Sequence, residues 1–310
     1  MQETRRRVLA ALEGGPTTGP ALAERLGVSR AAVWKHVQAL REAGFDIESD
    51  GEGYRAVDVP EYGGLAVEFG LDAPFTVEYH DEVTSTNARA RELAAEGATD
   101  VVVLADTQTG GRGRLDRAWA SPSGGVYASV VCRPDLPTAH APIYTLAAAV
   151  AATRAAREAG VGAGIKWPND VLVPVDGVER KLVGILTEME GEADRVSWVI
   201  VGVGVNATVP ASALPGTATS LLELVGDVDR RAFVQTFLEA FDDLRTDLDG
   251  VLDAWREHAL TLGRRVRVET PDGAVEGEAV DVVFPGALVV ETDEGERRIS
   301  AGDCEHLRPA

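Results

Sequence analysis

Cysteine is scarce in this chain of 310 residues, and long apolar runs are missing from it. The two thiols, Cys132 and Cys304, lie far apart and have no other metal-ligating residues beside them. Such usage is typical of the reducing cytoplasm. No apolar run approaches the roughly 20 residues that span a bilayer, and residues 1–7 lack the apolar core of a signal peptide. We therefore predict a cytoplasmic protein that makes no contact with a membrane.

Basic residues are also in the minority: 30 Lys and Arg stand against 50 Asp and Glu, a formal net charge of −20. An acidic surface repels nucleic acids and membranes at low salt and favours solubility. With many alanines, valines and aspartates and few lysines, the composition fits a halophilic proteome, as a hypothesis. Residues 1–58, however, contain eight basic and nine acidic residues, a net of −1, which leaves about −19 for the rest. The N-terminal segment is therefore expected to be a separate module.

The standard phosphate-binding loops of nucleotide enzymes are missing as well. The sequence contains no Walker A motif. Gly202-Val203-Gly204-Val205-Asn206-Ala207 has the spacing of a dinucleotide fingerprint, but that fingerprint needs a helix to open at this point. Pro210 and Pro215 indicate a loop instead. A bound nucleotide would therefore need another kind of phosphate site.

The N-terminal segment has the pattern of a winged helix-turn-helix. Helices are expected over residues 3–13, 20–26 and 30–43, and an apolar stripe on the third faces a core. A hairpin signal around Asp50-Gly51-Glu52-Gly53 lies where a wing would follow. The predicted DNA-contacting residues are Ser29, which also caps the third helix, Arg30, Trp34, Lys35 and Gln38. A small helical packing domain is the alternative. Because phosphate contacts weaken with salt, a near-neutral module in a high-salt cell would rely on base contacts, dimerisation or both.

The arginine loop, defined as residues 110–119 (Gly-Gly-Arg-Gly-Arg-Leu-Asp-Arg-Ala-Trp), follows an apolar strand. Its glycines let a backbone approach a ligand closely, and its arginines suit phosphate or carboxylate oxygens. An exposed basic loop without a ligand is the alternative. The contrast with an acidic chain favours an anion site.

Other polar residues interrupt apolar surroundings in the middle of the chain. Ser85-Thr86-Asn87 opens a helix, where the three residues act as caps or as a cradle for a polar ligand. Lys166 precedes Trp-Pro-Asn-Asp, and Lys181 precedes an apolar strand. A buried lysine is costly without an anion nearby, so each indicates an anionic ligand. A structural pair between Lys166 and Asp170 is the alternative.

The predicted class is α+β. Short alternating strands after residue 262 indicate a small SH3-like β-barrel. We expect a winged helix-turn-helix domain over residues 1–59, a linker over 60–74, a ligand-binding domain over 75–261 and the barrel over 262–310.

These stretches together resemble the bifunctional biotin protein ligases of the biotin-operon-repressor type. The resemblance covers nearly the whole chain, with the helix-turn-helix in front and the small barrel behind. It implies that the central domain has a mixed sheet of the class II synthetase kind. The matching motifs are Ser85-Thr86-Asn87, Gly111-Arg112-Gly113-Arg114 with Arg117 and Trp119, Lys166-Trp167-Pro168-Asn169-Asp170, Lys181-Leu182-Val183-Gly184-Ile185-Leu186, and Gly202-Val203-Gly204-Val205-Asn206.

The resemblance implies a two-step ligase reaction. Biotin and Mg-ATP would give biotinyl-5′-AMP and pyrophosphate, and the biotinyl group would pass to one lysine of a biotin carboxyl carrier domain. A second role as a biotin-responsive repressor at operator DNA is implied, as is a homodimer formed through the central sheet.

The resemblance also implies roles for individual residues. Biotin binding would fall to Ser85, Thr86, Asn87, Gln108, Arg112, Gly113, Arg114 and Lys181. The ATP or adenylate would contact Arg112, Arg114, Arg117, Trp119, Lys166, Asn169 and Asn206. The catalytic set would be Arg114, Lys166, Lys181 and Asp170, with Asp170 either assisting deprotonation of the incoming lysine or pairing with Lys166. No direct protein ligand for Mg²⁺ is expected.

One departure from the family pattern stands inside the arginine loop. Where many relatives have a second Arg-Gly-Arg, this chain has Leu115-Asp116-Arg117. Asp116 would pair with Arg117, attract a cation at high salt, or weaken retention of the adenylate.

Three other interpretations stay open at this point. The first is a transcription factor that senses biotin without turnover, and the second is a lipoate-type ligase. In the third, the winged helix only shapes the active site and does not regulate DNA.

Overall fold

The computed structural model describes residues 2–192 and 194–307, which form two compact units divided between Asp72 and Ala73. Each unit has a core of its own. None of the helices within these ranges is long and apolar enough to cross a membrane.

The first unit contains three helices followed by a two-stranded hairpin and a short helix. The N-cap oxygens of Thr18 and Ser29 accept from the N–H groups of Ala21 and Ala32, which fixes where the second and third helices begin. The predicted stripe on the third helix is buried, as are its partners on the first two helices. The elements are α1 (Gln2–Leu12), α2 (Gly19–Leu26), α3 (Arg30–Glu42), β1 (Asp46–Asp50), β2 (Gly53–Asp58) and α4 (Gly64–Glu68).

Residues 60–74 differ from the predicted linker. Helix α4 lies inside this segment, and its Ala66 and Val67 are buried. Glu68 forms an ion pair with Arg6 at 2.6 Å. Glycine and proline near both ends indicate loops, but the apolar residues between them pack on the core of the first unit. The segment as far as Asp72 is therefore part of that unit.

The second unit is built on a seven-stranded sheet in the order β3-β4-β5-β9-β8-β7-β6. Strands β3 and β4 are parallel and the other neighbours are antiparallel, so the predicted mixed sheet is confirmed. The strands are β3 (Thr76–Val83), β4 (Val101–Gln108), β5 (Val126–Cys132), β6 (Gly164–Lys166), β7 (Asp170–Val175), β8 (Val178–Glu192) and β9 (Arg195–Val205).

Helices cover this sheet. The alanine-rich α6 is almost entirely buried and contacts both the sheet and two later helices, because alanine lets helices approach closely. Helix α5 packs on β4, β5 and β9. The helices are α5 (Thr86–Ala95), α6 (Ile143–Glu158), α7 (Leu221–Val225), α8 (Arg230–Thr246) and α9 (Val251–His258).

The C-terminal part of the second unit is a five-stranded antiparallel sheet of the predicted SH3-like kind, in the order β13-β12-β11-β10-β14. The indole N–H of the buried Trp167, which directly follows β6, donates to the Gly286 carbonyl at 2.9 Å. This hydrogen bond joins the turn between β11 and β12 to the edge of the seven-stranded sheet. The strands are β10 (Arg265–Thr270), β11 (Gly273–Val283), β12 (Ala287–Thr292), β13 (Gly295–Ile299) and β14 (Asp303–His306).

Candidate active site

Most of the residues singled out in the sequence meet around one cavity of about 250 Å³ in the second unit. They reach it from the start of α5, the end of β4, the arginine loop, β7 and β8. The predicted residues that line it are Ser85, Thr86, Asn87, Gln108, Arg112, Gly113, Arg114, Arg117, Trp119, Asn169, Asp170 and Lys181. Motifs up to about 100 residues apart in sequence therefore form a single site.

One wall of the cavity, which we name the polar floor, consists of Thr86, Asn87 and Gln108, and the fully buried Ser129 lies beneath it. Gln108 Oε1 accepts from the Thr86 N–H at 2.9 Å and lies 3.1 Å from Thr86 Oγ1. Ser129 Oγ lies 2.7 Å from Thr86 Oγ1 and 2.6 Å from Asn87 Oδ1. The buried polar groups of the floor thus hydrogen-bond to one another, as desolvated groups must.

Two glycines of β9 allow this packing. A Cβ atom at Gly202 would lie 2.1 Å from Asn87 Oδ1, and one at Gly204 would lie 2.6 Å from Trp119 Nε1. The Gly-x-Gly pattern that fails as a dinucleotide fingerprint therefore serves close approach of side chains to the sheet.

Arg114 is the most enclosed arginine of the loop. Its Nη1 donates to Asn169 Oδ1 at 3.1 Å and its Nη2 to the Gly302 carbonyl at 2.7 Å. Burial lowers the pKa of Arg114 because it penalises the charged form. Arg114 therefore presents a partly desolvated cation, fixed from two sides, to the cavity.

The other two loop arginines are exposed and paired with carboxylates. Arg117 forms an ion pair with Asp303 on β14. Burial of Asp303 opposes its ionisation, but the hydrogen bond and charge of Arg117 outweigh this and lower the pKa of Asp303. Arg112 lies 3.3 Å from Asp116 Oδ1. The suggested pair between Asp116 and Arg117 is therefore wrong, because each has another partner.

The backbone of the loop turns through a left-handed conformation at Leu115 and Asp116, with φ of 56° and 55°. This region favours glycine, which is the residue of the family pattern at position 116. Asp116 is tolerated there because short polar side chains are the least strained of the alternatives.

Lys181 faces two groups of the site. Its Nζ lies 2.7 Å from Asp170 Oδ1 and 5.1 Å from the centre of the Trp119 ring. The alternative of an ion pair between Asp170 and Lys166 is therefore wrong. Lys166 lies opposite Asp170 in the backbone register of β6 and β7, but the carboxylate of Asp170 forms its ion pair with Lys181.

Two predicted residues stand outside the lining of the cavity, namely Lys166 and Asn206. The Asn206 amide is buried and donates to the Thr219 carbonyl at 3.0 Å and to the Lys181 carbonyl at 3.4 Å. The structure thus places Asn206 behind the site, where it holds the backbone of Lys181.

Sequence reasoning missed Ser129, Gly302 and Asp303. Ser129 carried a signal, because it is the one serine or threonine in the apolar stretch 126–132, where a small polar side chain needs a buried partner. Gly302 and Asp303 carried none, because their approach to the arginine loop depends on how the C-terminal sheet packs.

In the first unit, the predicted DNA-contacting residues lie on or beside α3. Arg30 and Lys35 are exposed, Trp34 has 55% of its surface exposed, and Gln38 is partly buried. Ser29 caps the helix and is itself exposed.

Within the described ranges, no group of three or more His, Cys, Asp or Glu side chains is arranged to hold a metal ion.

Three family models match the chain. The biotin/lipoate A/B protein ligase family matches residues 78–206, an HTH domain matches residues 4–55, and the biotin protein ligase C-terminal domain matches residues 261–307.

Similar proteins cover the chain more fully. The bifunctional ligase/repressor BirA of Bacillus subtilis is 38% identical over 306 residues, which are 93% of each chain. A biotin–[acetyl-CoA-carboxylase] ligase of Mycobacterium tuberculosis is 35% identical over 72% of this chain and 86% of its own. Among solved structures, the biotin protein ligase from Aquifex aeolicus in complex with biotin and ATP superposes with a TM-score of 0.63 at 26% identity, over 74% of this chain and 99% of its own. The chain therefore belongs to the biotin protein ligase family, among its bifunctional ligase/repressor members.

Proposed function

We propose that this chain joins biotin to a lysine of a biotin carboxyl carrier domain through biotinyl-5′-AMP, and that it represses transcription in response to biotin. The observation that carries the proposal is one cavity with a hydrogen-bonded polar floor on one side and four cations, Arg112, Arg114, Arg117 and Lys181, on the other. A ligand with a polar ring and an anionic tail fits that division. The relatives that cover most of the chain are named as ligases of this kind.

The first step joins two anions. A carboxylate oxygen of biotin attacks the α-phosphorus of ATP, a P–O bond forms, and the bond to pyrophosphate breaks. Fixed cations stabilise the charge that accumulates, and they need no reorganisation if they are already in place. Arg114 is held in this way by Asn169 and Gly302, and Lys181 by Asp170. Lys166 would add positive charge from β6.

In the second step, the amine of the acceptor lysine attacks the biotinyl carbonyl, and AMP leaves with the electrons of the broken C–O bond. Asp170 lines the cavity beside Lys181 and is the carboxylate we assign to accept the proton of the incoming amine. Trp119 would cover the adenine ring, and Arg114 would retain the adenylate between the two steps.

Mg²⁺ would enter with ATP and supply charge neutralisation on its phosphates. The two carboxylates that line the cavity, Asp170 and Asp303, already pair with Lys181 and Arg117. Phosphate oxygens, not these side chains, would therefore hold the metal.

The repressor role rests on α3. Its exposed Arg30, Trp34 and Lys35 would contact operator DNA, and a homodimer formed through the central sheet would present two such helices. We further propose residues 75–261 as the catalytic domain and 262–310 as the barrel, a cytoplasmic location, and adaptation to high salt.

The ligase test mixes the full chain with labelled biotin, Mg-ATP and a carrier-domain protein in high potassium chloride. We expect covalent label on the carrier, and no transfer when lipoate replaces biotin. Tight biotin binding without transfer to any carrier would leave only the biotin-sensing factor, and transfer of lipoate would indicate the other ligase class.

The repressor test measures binding of the full chain to its own promoter region across a salt series, with and without biotin and ATP. Trp34→Ala should lose binding, whereas Arg55→Ala, which removes an exposed arginine of the hairpin, should weaken it less. If biotin changes binding at no salt concentration, the winged helix does not act as a biotin-responsive repressor.

A further inference from the structure

Ser129 lies on β5 beneath the polar floor and is completely buried. Its hydroxyl has one proton and two close oxygen neighbours, Thr86 Oγ1 at 2.7 Å and Asn87 Oδ1 at 2.6 Å. Ser129 can donate to only one of them, so the direction of the other hydrogen bond is decided by its neighbours.

Glu188 on β8 decides it. The carboxylate Oε2 of Glu188 lies 2.7 Å from the amide nitrogen of Asn87, and an ionised carboxylate can only accept. The second proton of that amide points to the Leu186 carbonyl at 3.3 Å. Asn87 therefore turns its oxygen toward Ser129, and the proton of Ser129 is committed to Asn87.

The hydroxyl of Thr86 must then be the donor in its contact with Ser129. Its other neighbour, Gln108 Oε1, is a carbonyl oxygen that can only accept, and it lies farther away, at 3.1 Å against 2.7 Å. With the Ser129 proton on Asn87, two oxygens 2.7 Å apart need the Thr86 proton between them, so Thr86 offers lone pairs to the cavity that it lines.

The neighbouring Ser85 has the opposite polarity. Its oxygen accepts from the Ala88 N–H as an N-cap, and its own proton has no hydrogen-bond acceptor among the residues that the structure describes. A hydroxyl donor thus stands beside a hydroxyl acceptor. This pair complements a ligand in which a C=O is bonded to an N–H group.

We propose that Ser129 is a positioning residue that directs the Thr86 proton inward, so that the site accepts an N–H of the ligand ring and rejects a ring with oxygen or sulfur there. The proposal rests on the proposed function, because biotin carries a cyclic urea with this C=O and N–H edge. It makes the chain of contacts Glu188–Asn87–Ser129–Thr86 a determinant of ring specificity.

The test is isothermal titration calorimetry of the full chain with biotin and with the two cyclic carbamates in which one or the other urea N–H is replaced by oxygen. The unmodified chain should bind one carbamate much more weakly than biotin, namely the one whose ring oxygen replaces the N–H that Thr86 accepts from. The ring oxygen and the Thr86 hydroxyl oxygen would then face each other as two acceptors. In Ser129→Ala, the Kd for biotin should rise about tenfold, and the Kd for that carbamate less than twofold. On a Thr86→Val background, Ser129→Ala should change the Kd for biotin by less than about twofold.

Thr153→Val is the matched control. Thr153 is as buried as Ser129, and its hydroxyl donates to the Ala149 carbonyl at 2.7 Å within α6. This variant should lose comparable thermal stability and keep the Kd for biotin. If Ser129→Ala does not fold, Ser129→Cys replaces it, because a thiol has a similar volume and is only a weak donor and acceptor; the ratio of the carbamate Kd to the biotin Kd should then fall.

Three results would overturn the proposal: an equal loss of affinity for both ligands in Ser129→Ala, an unchanged effect of Ser129→Ala in the Thr86→Val background, or an unchanged ratio of the two Kd values in Ser129→Cys. Failure of the unmodified chain to bind biotin at all would instead overturn the proposed function.

Discussion

The polar floor and the arginine loop enclose the same cavity but are built in opposite ways. Thr86, Asn87 and Ser129 are 4%, 7% and 0% exposed, and their hydrogen bonds run to other protein groups. In the loop, the side chains of Arg112 and Asp116 are 70% and 87% exposed, and they pair with each other. The floor is preformed, whereas the loop's ion pairs can be exchanged for ligand phosphates at small cost, because exposed pairs are weak. The site therefore combines a preformed polar floor that recognises a ring with an arginine loop that can rearrange to bind an anion.

Loss of Arg114 should produce the largest effect, because it is the loop's one enclosed cation. We expect Arg114→Ala to lower the rate of carrier biotinylation about 10²-fold or more, and free adenylate to accumulate in solution. Arg112→Ala, which removes an exposed neighbour, should cost less than about tenfold. Chromatography of the adenylate beside the labelling assay measures both. Equal losses in the two variants would show that enclosure of Arg114 is unimportant.

Gly202→Ala should damage the floor and spare the loop. The new Cβ atom would lie 2.1 Å from Asn87 Oδ1, so Asn87 must leave its contacts with Ser129 and Glu188. We expect the Kd for biotin to rise about 30-fold and that for ATP to change less than about threefold. Gly162→Ala, at a site with no atom within 4 Å of the added carbon, is the control. Parallel losses for both ligands would mean that the two walls are not independent.

Mild acid should lower the stability of the fold and leave the affinity of the cavity for biotin unchanged. Burial lowers the pKa of His306, which contacts Glu179 and Thr261 at 2.8 and 2.9 Å. The pKa of His306 is lower in the folded protein than in the unfolded chain, so the unfolded chain takes up the proton first as the pH drops below about 6.5. The free energy of unfolding should therefore fall, in total by roughly 1.4 kcal/mol for each pH unit that separates the two pKa values. His258 and His36 act in the same direction.

Denaturant titrations from pH 7.5 to 5.5 measure this effect, and His306→Gln should flatten part of the slope. Among the described residues, no histidine lines the cavity, so the Kd for biotin should stay constant from pH 7.5 to 6.5. A Kd that follows the unfolding curve would indicate that the floor depends on the His306 contacts.

Asp116→Gly should have the smallest effect. It supplies the residue that a φ of 55° favours and removes a negative charge beside Arg112. We expect the melting temperature to move by less than about 2 °C and the KM for ATP to fall about twofold, less at high salt. Asp116→Asn keeps the backbone preference and removes only the charge, so a KM that falls in Gly and not in Asn would assign the effect to the backbone.

Local signals in the sequence predicted much of this architecture. The caps at Ser29 and Ser85, the apolar stripe of α3 and the glycine turns between strands act over a few residues, and the structure follows them. The choice of ion-pair partners was not predictable. Lys166 is only four residues from Asp170 in the sequence, but Asp170 forms its ion pair with Lys181. The register of β7 and β8 places Lys181 opposite Leu172, two residues along the strand from Asp170. Helix α4 was not predicted because it is only five residues long and is stabilised by packing of its apolar residues on the core of the first unit, which local sequence does not show.

The contact between Arg114 and residue 302 limits how this protein can be altered. Arg114 binds a backbone carbonyl there, and a Cβ atom at Gly302 would lie 2.6 Å from Val268 Cγ1 and 2.8 Å from the Glu269 carbonyl. An alanine at residue 302 cannot isolate this contact, because it leaves the carbonyl in place and its Cβ atom displaces the sheet. In a chimaera that takes its C-terminal sheet from a relative, the side chains of β14 are free to differ, whereas the path of the main chain through Gly302 has to be inherited intact.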